Sequence, residues 1–122
     1  MSESDLGGRR VLVVESEARV ANRIRDTLEA LGCEVVAVAS RLADARAHAV
    51  ALKFDIAMLD VELSPEPCLE IANDLSVRGI PFVLTVVDGA TKIPPELKHA
   101  PVLQKPFLRF ELERSLLVAL TR

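Results

Sequence analysis

The chain has 122 residues and a formal net charge of −3; hydrophobic residues make up 50% of it and aromatic residues only 3%. This length fits one domain whose core is built from aliphatic side chains. An acidic chain with few aromatic rings is poorly suited to binding nucleic acid or an anionic membrane, so we expect neither kind of partner.

The ends and the cysteines of the chain suggest a soluble, cytoplasmic protein. Cys33 and Cys68 form no CxxC pair, which indicates reduced thiols rather than a metal or disulfide site. The N-terminus has no signal-peptide core, and no apolar run reaches the roughly 20 residues of a membrane span. We expect a flexible tail over residues 1–8, one domain over 9–122, and no attached output domain.

The first half of the chain predicts strand, helix, strand and helix. A continuous apolar run over 11–14 predicts the first strand, and apolar residues at helical spacing over 20–31 predict an amphipathic helix. A second run over 35–39 precedes a second helix over 42–52, for which Ser40 is the candidate N-cap. Continuous apolar runs are typical of strands that are covered on both faces of a sheet.

The middle of the chain repeats this order. A third apolar run over 56–59 predicts a strand, and helical spacing over 68–75 predicts a helix that Gly79 ends. A fourth strand is predicted over 82–87.

The last part of the chain contains an incomplete helical segment. Pro94-Pro95 excludes a long fourth helix and leaves only a short turn around 96–99. A fifth strand is predicted over 102–103 and a last helix over 108–120. Five repeats of strand and helix predict an α/β fold with a parallel sheet, right-handed crossovers and helices on both faces.

Polar residues stand at the ends of four predicted strands. Glu15, Asp60 and Lys105 follow the first, third and fifth strands, and Thr85 lies late in the fourth. Ligands of open parallel sheets bind beyond the carboxyl ends of the strands. If the first and third strands are neighbours, the four side chains meet in one pocket.

Two carboxylates, a hydroxyl and an ammonium in one pocket suit phosphoryl transfer. Asp60 could attack phosphorus and become an acyl phosphate. Mg²⁺, which prefers oxygen ligands, would offset the negative charge beside Glu15, while Lys105 and Thr85 would bind the transferred oxygens. Each residue alone is compatible with a turn, a strand or a solvated loop, and their placement at one edge favours a site.

Four segments carry a family resemblance. VLVVESE, DIAMLDVEL, PFVLT and VLQKPF resemble, in order and spacing, the motifs of response regulator receiver domains in bacterial two-component systems. The resemblance extends from about Arg10 to the C-terminus and implies a flavodoxin-like sheet in the order 2-1-3-4-5. It implies that a histidine kinase or histidine phosphotransfer protein is the phosphodonor. It also implies that the face between the fourth and fifth helical segments binds a separate effector or a second copy.

The resemblance also assigns a role to each residue of the pocket. Asp60 is the phosphoacceptor, Thr85 the switch hydroxyl, and Lys105 the ion-pair partner of the phosphoryl group. Glu15 belongs to the acidic pair that holds Mg²⁺ with Asp60. The backbone carbonyl of Glu62 is a further ligand, and the Glu62 side chain modulates dephosphorylation. Such a domain is not a turnover enzyme, because it only accepts the group and slowly hydrolyses it.

The sequence departs from the family pattern at several positions. Ser16 stands where the second acid of the metal pair is expected, so it is a weak or lost ligand and Mg²⁺ should bind weakly. Val86 replaces a small residue, and Val102 replaces the aromatic switch residue. Ser64 and Cys68 replace the usual proline and glycine of the loop after Asp60.

Two other functions remain as alternatives. The departures would fit a degenerate receiver that acts as a phosphorylation-independent interaction or dimerisation module. Its surface would be the last helix, where Phe110, Leu117 and Val118 lie off the main apolar face. A nucleotide or flavin enzyme is disfavoured, because no glycine-rich loop opens the first helix to cradle phosphate.

Overall fold

Five parallel strands form the centre of the molecule, in the order β2-β1-β3-β4-β5. The structure is a computed structural model, and it describes residues 6–63, 68–87 and 92–121. The strand order confirms the flavodoxin-like α/β fold, and every strand boundary lies within one residue of its predicted position. The strands are β1 (Arg10–Val14), β2 (Glu34–Ala39), β3 (Ile56–Asp60), β4 (Phe82–Val86) and β5 (Val102–Gln104).

In the described ranges, four α-helices cover the sheet: α1 (Ala18–Ala30), α2 (Leu42–Ala51), α3 (Leu69–Arg78) and α4 (Arg109–Leu120). Gly79 ends α3 with φ at 74°, as its position after the helix predicted. The prediction of Ser40 as the N-cap of α2 is wrong. Arg41 holds the N-cap position, its backbone is extended, and no side chain caps the helix.

The fourth helical segment differs from a full β-α unit. Among the described residues between β4 and β5, the only helix is a single 3₁₀ turn at Pro95–Leu97, one residue earlier than the predicted turn. Pro94 and Pro95 cannot donate backbone hydrogen bonds, so a helix can begin at them but cannot run through them. Leu97 anchors the segment, since it is fully buried against the core.

The sheet divides the core into two layers because successive side chains of a strand point to opposite faces. Leu12 and Val14 of β1 pack in the layer beneath α2 and α3. Val11 and Val13 pack in the other layer, together with side chains of α1 and α4. The residues that end the three central strands, β1, β3 and β4, are therefore held on a part of the sheet that is covered on both faces.

The N-terminal residues that the structure describes are packed. Leu6 is buried, the N–H of Gly8 donates to the Gly32 carbonyl at 2.8 Å, and the thiol of Cys33 donates to the Leu6 carbonyl at 3.5 Å. Residues 6–8, predicted as part of the tail, thus belong to the folded domain, and the rest of that predicted tail lies outside the described residues. No helix in the described ranges has the length and hydropathy of a membrane span.

Candidate functional site

The predicted polar residues meet at the carboxyl edge of the sheet. Asp60, the last residue of β3, lies directly beside Thr85 of β4 in the strand register. Glu15 follows β1 and remains tied to β2 by its N–H, which donates to the Ala39 carbonyl at 2.9 Å. Lys105 follows β5, and its N–H donates to the Val86 carbonyl at 2.7 Å. Backbone hydrogen bonds within the sheet therefore fix the Cα positions of all four residues.

Lys105 lies between the two carboxylates. Its Nζ is 2.9 Å from Glu15 Oε1 and 3.5 Å from Asp60 Oδ1. The side chains are 9% exposed for Lys105, 1% for Glu15 and 3% for Asp60. One ammonium thus serves two buried carboxylates, and the pocket retains an excess of negative charge.

Burial and the neighbouring charges together set the pKa directions of Glu15 and Lys105. Burial raises the pKa of Glu15 and outweighs its hydrogen bonds from Lys105 and from the backbone of Glu17. Burial alone would lower the pKa of Lys105, but the hydrogen bond to Glu15 and the charge of Asp60 raise it. Lys105 therefore remains a cation, which is the state needed to bind a phosphoryl oxygen.

Both oxygens of Asp60 have further donors. The backbone N–H of Glu62 donates to Oδ1 at 3.0 Å, and the Ser16 hydroxyl donates to Oδ2 at 3.4 Å. The second contact is long for a hydroxyl donor and is therefore weak. Ser16 does reach the pocket, as its alignment with the expected second acid predicts, but it brings no charge.

The oxygen atoms of the pocket are of the kind that Mg²⁺ prefers, but the pocket has one carboxylate fewer than the family pattern, because Ser16 replaces an acid. Glu15 and Asp60 offer carboxylate oxygens, and Ser16 and the Glu62 carbonyl offer neutral ones, all of the hard type that Mg²⁺ prefers. Within the described ranges, no group of three or more His, Cys, Asp or Glu side chains could hold a metal ion. Glu17 is exposed and contacts Glu15 through its backbone N–H at 3.1 Å, so it does not supply the third carboxylate.

The segment after Thr85 is tightly packed. Thr85 and Val86 are 1% and 3% exposed, and the Thr85 carbonyl accepts the Val61 N–H at 2.9 Å. Val86 belongs to the core layer under α2 and α3. Val102 is 47% exposed on β5 and has no ring to turn inward. An aromatic side chain at position 102 is therefore not available to couple Thr85 to the surface.

Cys68 contacts the backbone of Asp60, a contact that the sequence does not predict. The residue is fully buried, and its thiol donates to the Asp60 backbone carbonyl at 2.6 Å. Burial, with a smaller effect of the Asp60 charge, raises the pKa of Cys68 to about 12. The glycine usual at this position could not make this contact, so Cys68 adds a hydrogen bond at the end of β3. Ser64, the other departure in this loop, lies outside the described residues.

We expect Cys68 to resist alkylation in the folded protein, because only the thiolate reacts and burial suppresses it. Iodoacetamide at mildly alkaline pH, followed by peptide mass spectrometry, should find Cys68 unmodified when the chain is native. The urea-denatured chain is the control and should label fully. Labelling of the native chain at the denatured rate would show that the thiol is accessible.

Glu62 makes a second contact that the sequence did not predict. Its Oε1 accepts the backbone N–H of Val87 at 2.7 Å. The Val87 carbonyl in turn accepts from the side-chain amide of Gln104 at 3.4 Å. An exposed glutamate two residues after an aspartate carries no sequence signal for such a bond.

Comparison with protein-family models gives no match, and comparison with curated proteins gives none either. Solved structures do match. SdrG from Sphingomonas melonis Fr1 is 31% identical with a TM-score of 0.83, over 98% of this chain and 99% of SdrG. The signal receiver domain of a modulated diguanylate cyclase from Desulfovibrio desulfuricans G20 is 26% identical, with a TM-score of 0.78 over 93% of this chain and 94% of that domain. The chemotaxis response regulator CheY4 of Vibrio cholerae shares the fold at 22% identity and a TM-score of 0.74, over 90% of this chain and 97% of CheY4.

The sheet order and the pocket of Glu15, Asp60 and Lys105 define a doubly wound α/β domain with an acidic site at the point where strand order reverses. The structural relatives narrow this class. The chain belongs to the receiver domains of response regulators.

Proposed function

We propose that this receiver domain accepts a phosphoryl group on Asp60 from a histidine kinase or a histidine phosphotransfer protein. The observation that supports this function is the position of Lys105, whose ammonium contacts both buried carboxylates of the pocket. Burying charged groups has a large desolvation cost, and a purely structural core would place apolar residues there. The arrangement is instead suited to binding an anion that forms on Asp60.

The transfer needs no proton removal from Asp60, because its carboxylate is the nucleophile. A carboxylate oxygen supplies the electron pair of the new O–P bond as the P–N bond of the donor phosphohistidine breaks. The donor nitrogen keeps the electrons of that bond, and the imidazole leaves as a neutral ring when its other nitrogen carries a proton. With acetyl phosphate as donor, the P–O bond breaks and acetate leaves.

Each neighbouring residue then contributes to stabilising the transferred group. Lys105 pairs with a phosphoryl oxygen, Thr85 donates its hydroxyl to another, and Glu62 holds Asp60 through its backbone N–H. Glu15 and Asp60, with the Glu62 carbonyl and weakly with Ser16, would hold Mg²⁺, which supplies charge neutralisation when bound. These residues position Asp60 and bind the transferred phosphoryl group. The domain returns to its starting state only by slow hydrolysis of its own acyl phosphate.

The proposed output is a change in protein affinity. Phosphorylation would alter the face formed by β5, α4 and the 3₁₀ segment, and a separate effector or a second copy of the chain would bind there. Val102 and Phe110 are 47% and 54% exposed on this part of the molecule, which gives it apolar surface for a partner.

Intact-mass spectrometry after incubation with Mg²⁺ and acetyl phosphate tests the proposal. We expect one phosphate adduct on the wild-type chain and none on Asp60→Asn, which has nearly the same shape but no anionic nucleophile. An adduct on Asp60→Asn would place the acceptor elsewhere. An unmodified wild-type chain, also with its cognate kinase, would rule out phosphoacceptance.

A degenerate receiver is the second candidate, favoured by the uncharged Ser16 and by the exposed Val102. In this case α4 would be a constitutive interaction surface. Of its three candidate residues, Phe110 and Val118 are 54% and 39% exposed, whereas Leu117 is partly buried against the core. The mass experiment above separates the two functions.

A further inference from the structure

Glu62 links the phosphoacceptor to the segment after Thr85 through two hydrogen bonds. Its backbone N–H donates to Asp60 Oδ1 at 3.0 Å, and its side-chain Oε1 accepts the Val87 N–H at 2.7 Å. We call this pair of hydrogen bonds the Glu62 latch. Val87 lies two residues after Thr85 and is 55% exposed, so the latch joins the buried site to the surface.

Charge is what makes this link sensitive to the state of Asp60. The bond from the Glu62 N–H is charge-assisted while Asp60 is a carboxylate, and such bonds weaken when the acceptor becomes neutral. An acyl phosphate has neutral carboxyl oxygens and carries about one more negative charge than the carboxylate it replaces. The added charge lies on the residue to which the Glu62 backbone donates, and it repels the like charge of the Glu62 side chain.

We propose that phosphorylation of Asp60 releases the Glu62 latch and thereby frees the Val87 backbone. This inference rests on the proposed function, since it requires the acyl phosphate. It gives Glu62 a side-chain role as a positioning residue, separate from its backbone carbonyl. The latch takes the place of an aromatic switch, which Val102 cannot provide.

The released segment is connected to the proposed output face. The Val87 carbonyl accepts from Gln104 at 3.4 Å, and Gln104 lies on β5 two residues from exposed Val102. When the Val87 N–H loses its acceptor, the backbone dihedral angles of Val87 can change, and the contact of its carbonyl with Gln104 changes with them. Phosphorylation of Asp60 thereby changes the contacts of β5, the edge strand of the sheet.

Amide hydrogen exchange at Val87, measured by NMR in both phosphorylation states, tests the latch. In the wild-type chain we expect exchange to become about tenfold faster after acetyl phosphate and Mg²⁺ are added, because a net hydrogen bond is lost. Glu62→Gln has a side chain of the same length with an acceptor oxygen but no charge. The Val87 N–H should therefore stay protected from exchange with and without phosphate on Asp60. Glu62→Ala has no acceptor, so Val87 should exchange fast even before phosphorylation.

The phosphorylated fraction of each sample is measured by intact mass, so that transfer and release are judged separately. Glu96→Gln, a charge removal at an exposed glutamate of the 3₁₀ turn, is the matched control and should behave as wild type. A wild-type chain that takes no phosphate overturns both the proposed function and the latch. A phosphorylated wild-type chain with unchanged Val87 exchange overturns the latch alone. Slow exchange in unphosphorylated Glu62→Ala, or a phosphorylated Glu62→Gln that releases Val87 as wild type does, also overturns it.

Discussion

Replacing Lys105 with methionine is expected to lower the free energy of unfolding by about 3 kcal/mol, since removing one partner of a buried ion pair leaves the other uncompensated. Here the effect concerns two carboxylates, because Glu15 and Asp60 both contact the same ammonium. Methionine preserves much of the volume of the lysine stem, so the loss reports charge rather than packing. The same variant should accept little phosphate, as the transferred group loses its cationic partner.

Urea denaturation monitored by circular dichroism measures the stability change, and intact mass measures the phosphorylated fraction. Lys98→Met is the matched control, because Lys98 is exposed at the end of the 3₁₀ turn and should change stability by less than about 0.5 kcal/mol. Equal stabilities for the two variants would show that the buried carboxylates do not depend on Lys105.

Ser16→Asp is expected to tighten Mg²⁺ binding by about tenfold or more. The Ser16 hydroxyl is 3.4 Å from Asp60 Oδ2, so a carboxylate at this position would add charge at the candidate metal ligands. A unit charge near a divalent cation has a gross effect of several kcal/mol at an effective dielectric constant of about 20, and dehydration offsets only part of it. The same charge, added to a pocket that already has an excess carboxylate, should lower stability without Mg²⁺.

Isothermal titration calorimetry measures the Mg²⁺ affinity of the wild-type chain and of Ser16→Asp. Thermal unfolding without Mg²⁺ measures the loss of stability that the added charge causes. Ser16→Asn is the matched control, because it adds the size and an oxygen of the aspartate without its charge. If Ser16→Asp and Ser16→Asn bind Mg²⁺ equally well, the missing charge at this position does not explain weak binding.

The fold could be predicted from the sequence because its strands are covered on both faces. Runs such as 11–14 and 56–59 are continuously apolar, and this pattern distinguishes a buried parallel strand from an exposed one. The strand order could not be obtained in this way, since periodicity says nothing about which strands are neighbours. It came from the family motifs. Residue preference predicts Ser40 as the N-cap of α2, whereas Arg41 holds that position in the structure.

The candidate site could be predicted only where function selects unusual residues at strand ends. Glu15, Asp60, Thr85 and Lys105 are polar residues at the ends of apolar strands, and the structure brings them together. Contacts made through loop backbones have no such signature. The bond from Cys68 to the Asp60 carbonyl depends on how the chain turns after the strand, which spacing does not reveal.

The 3₁₀ turn between β4 and β5 has a consequence for partner choice. Proline rings at Pro94, Pro95 and Pro101 fix three φ angles, so this part of the chain is shaped before any partner arrives. A preformed contour loses little conformational entropy on binding. A partner with a surface complementary to these proline rings would therefore bind this part of the chain at a small entropic cost.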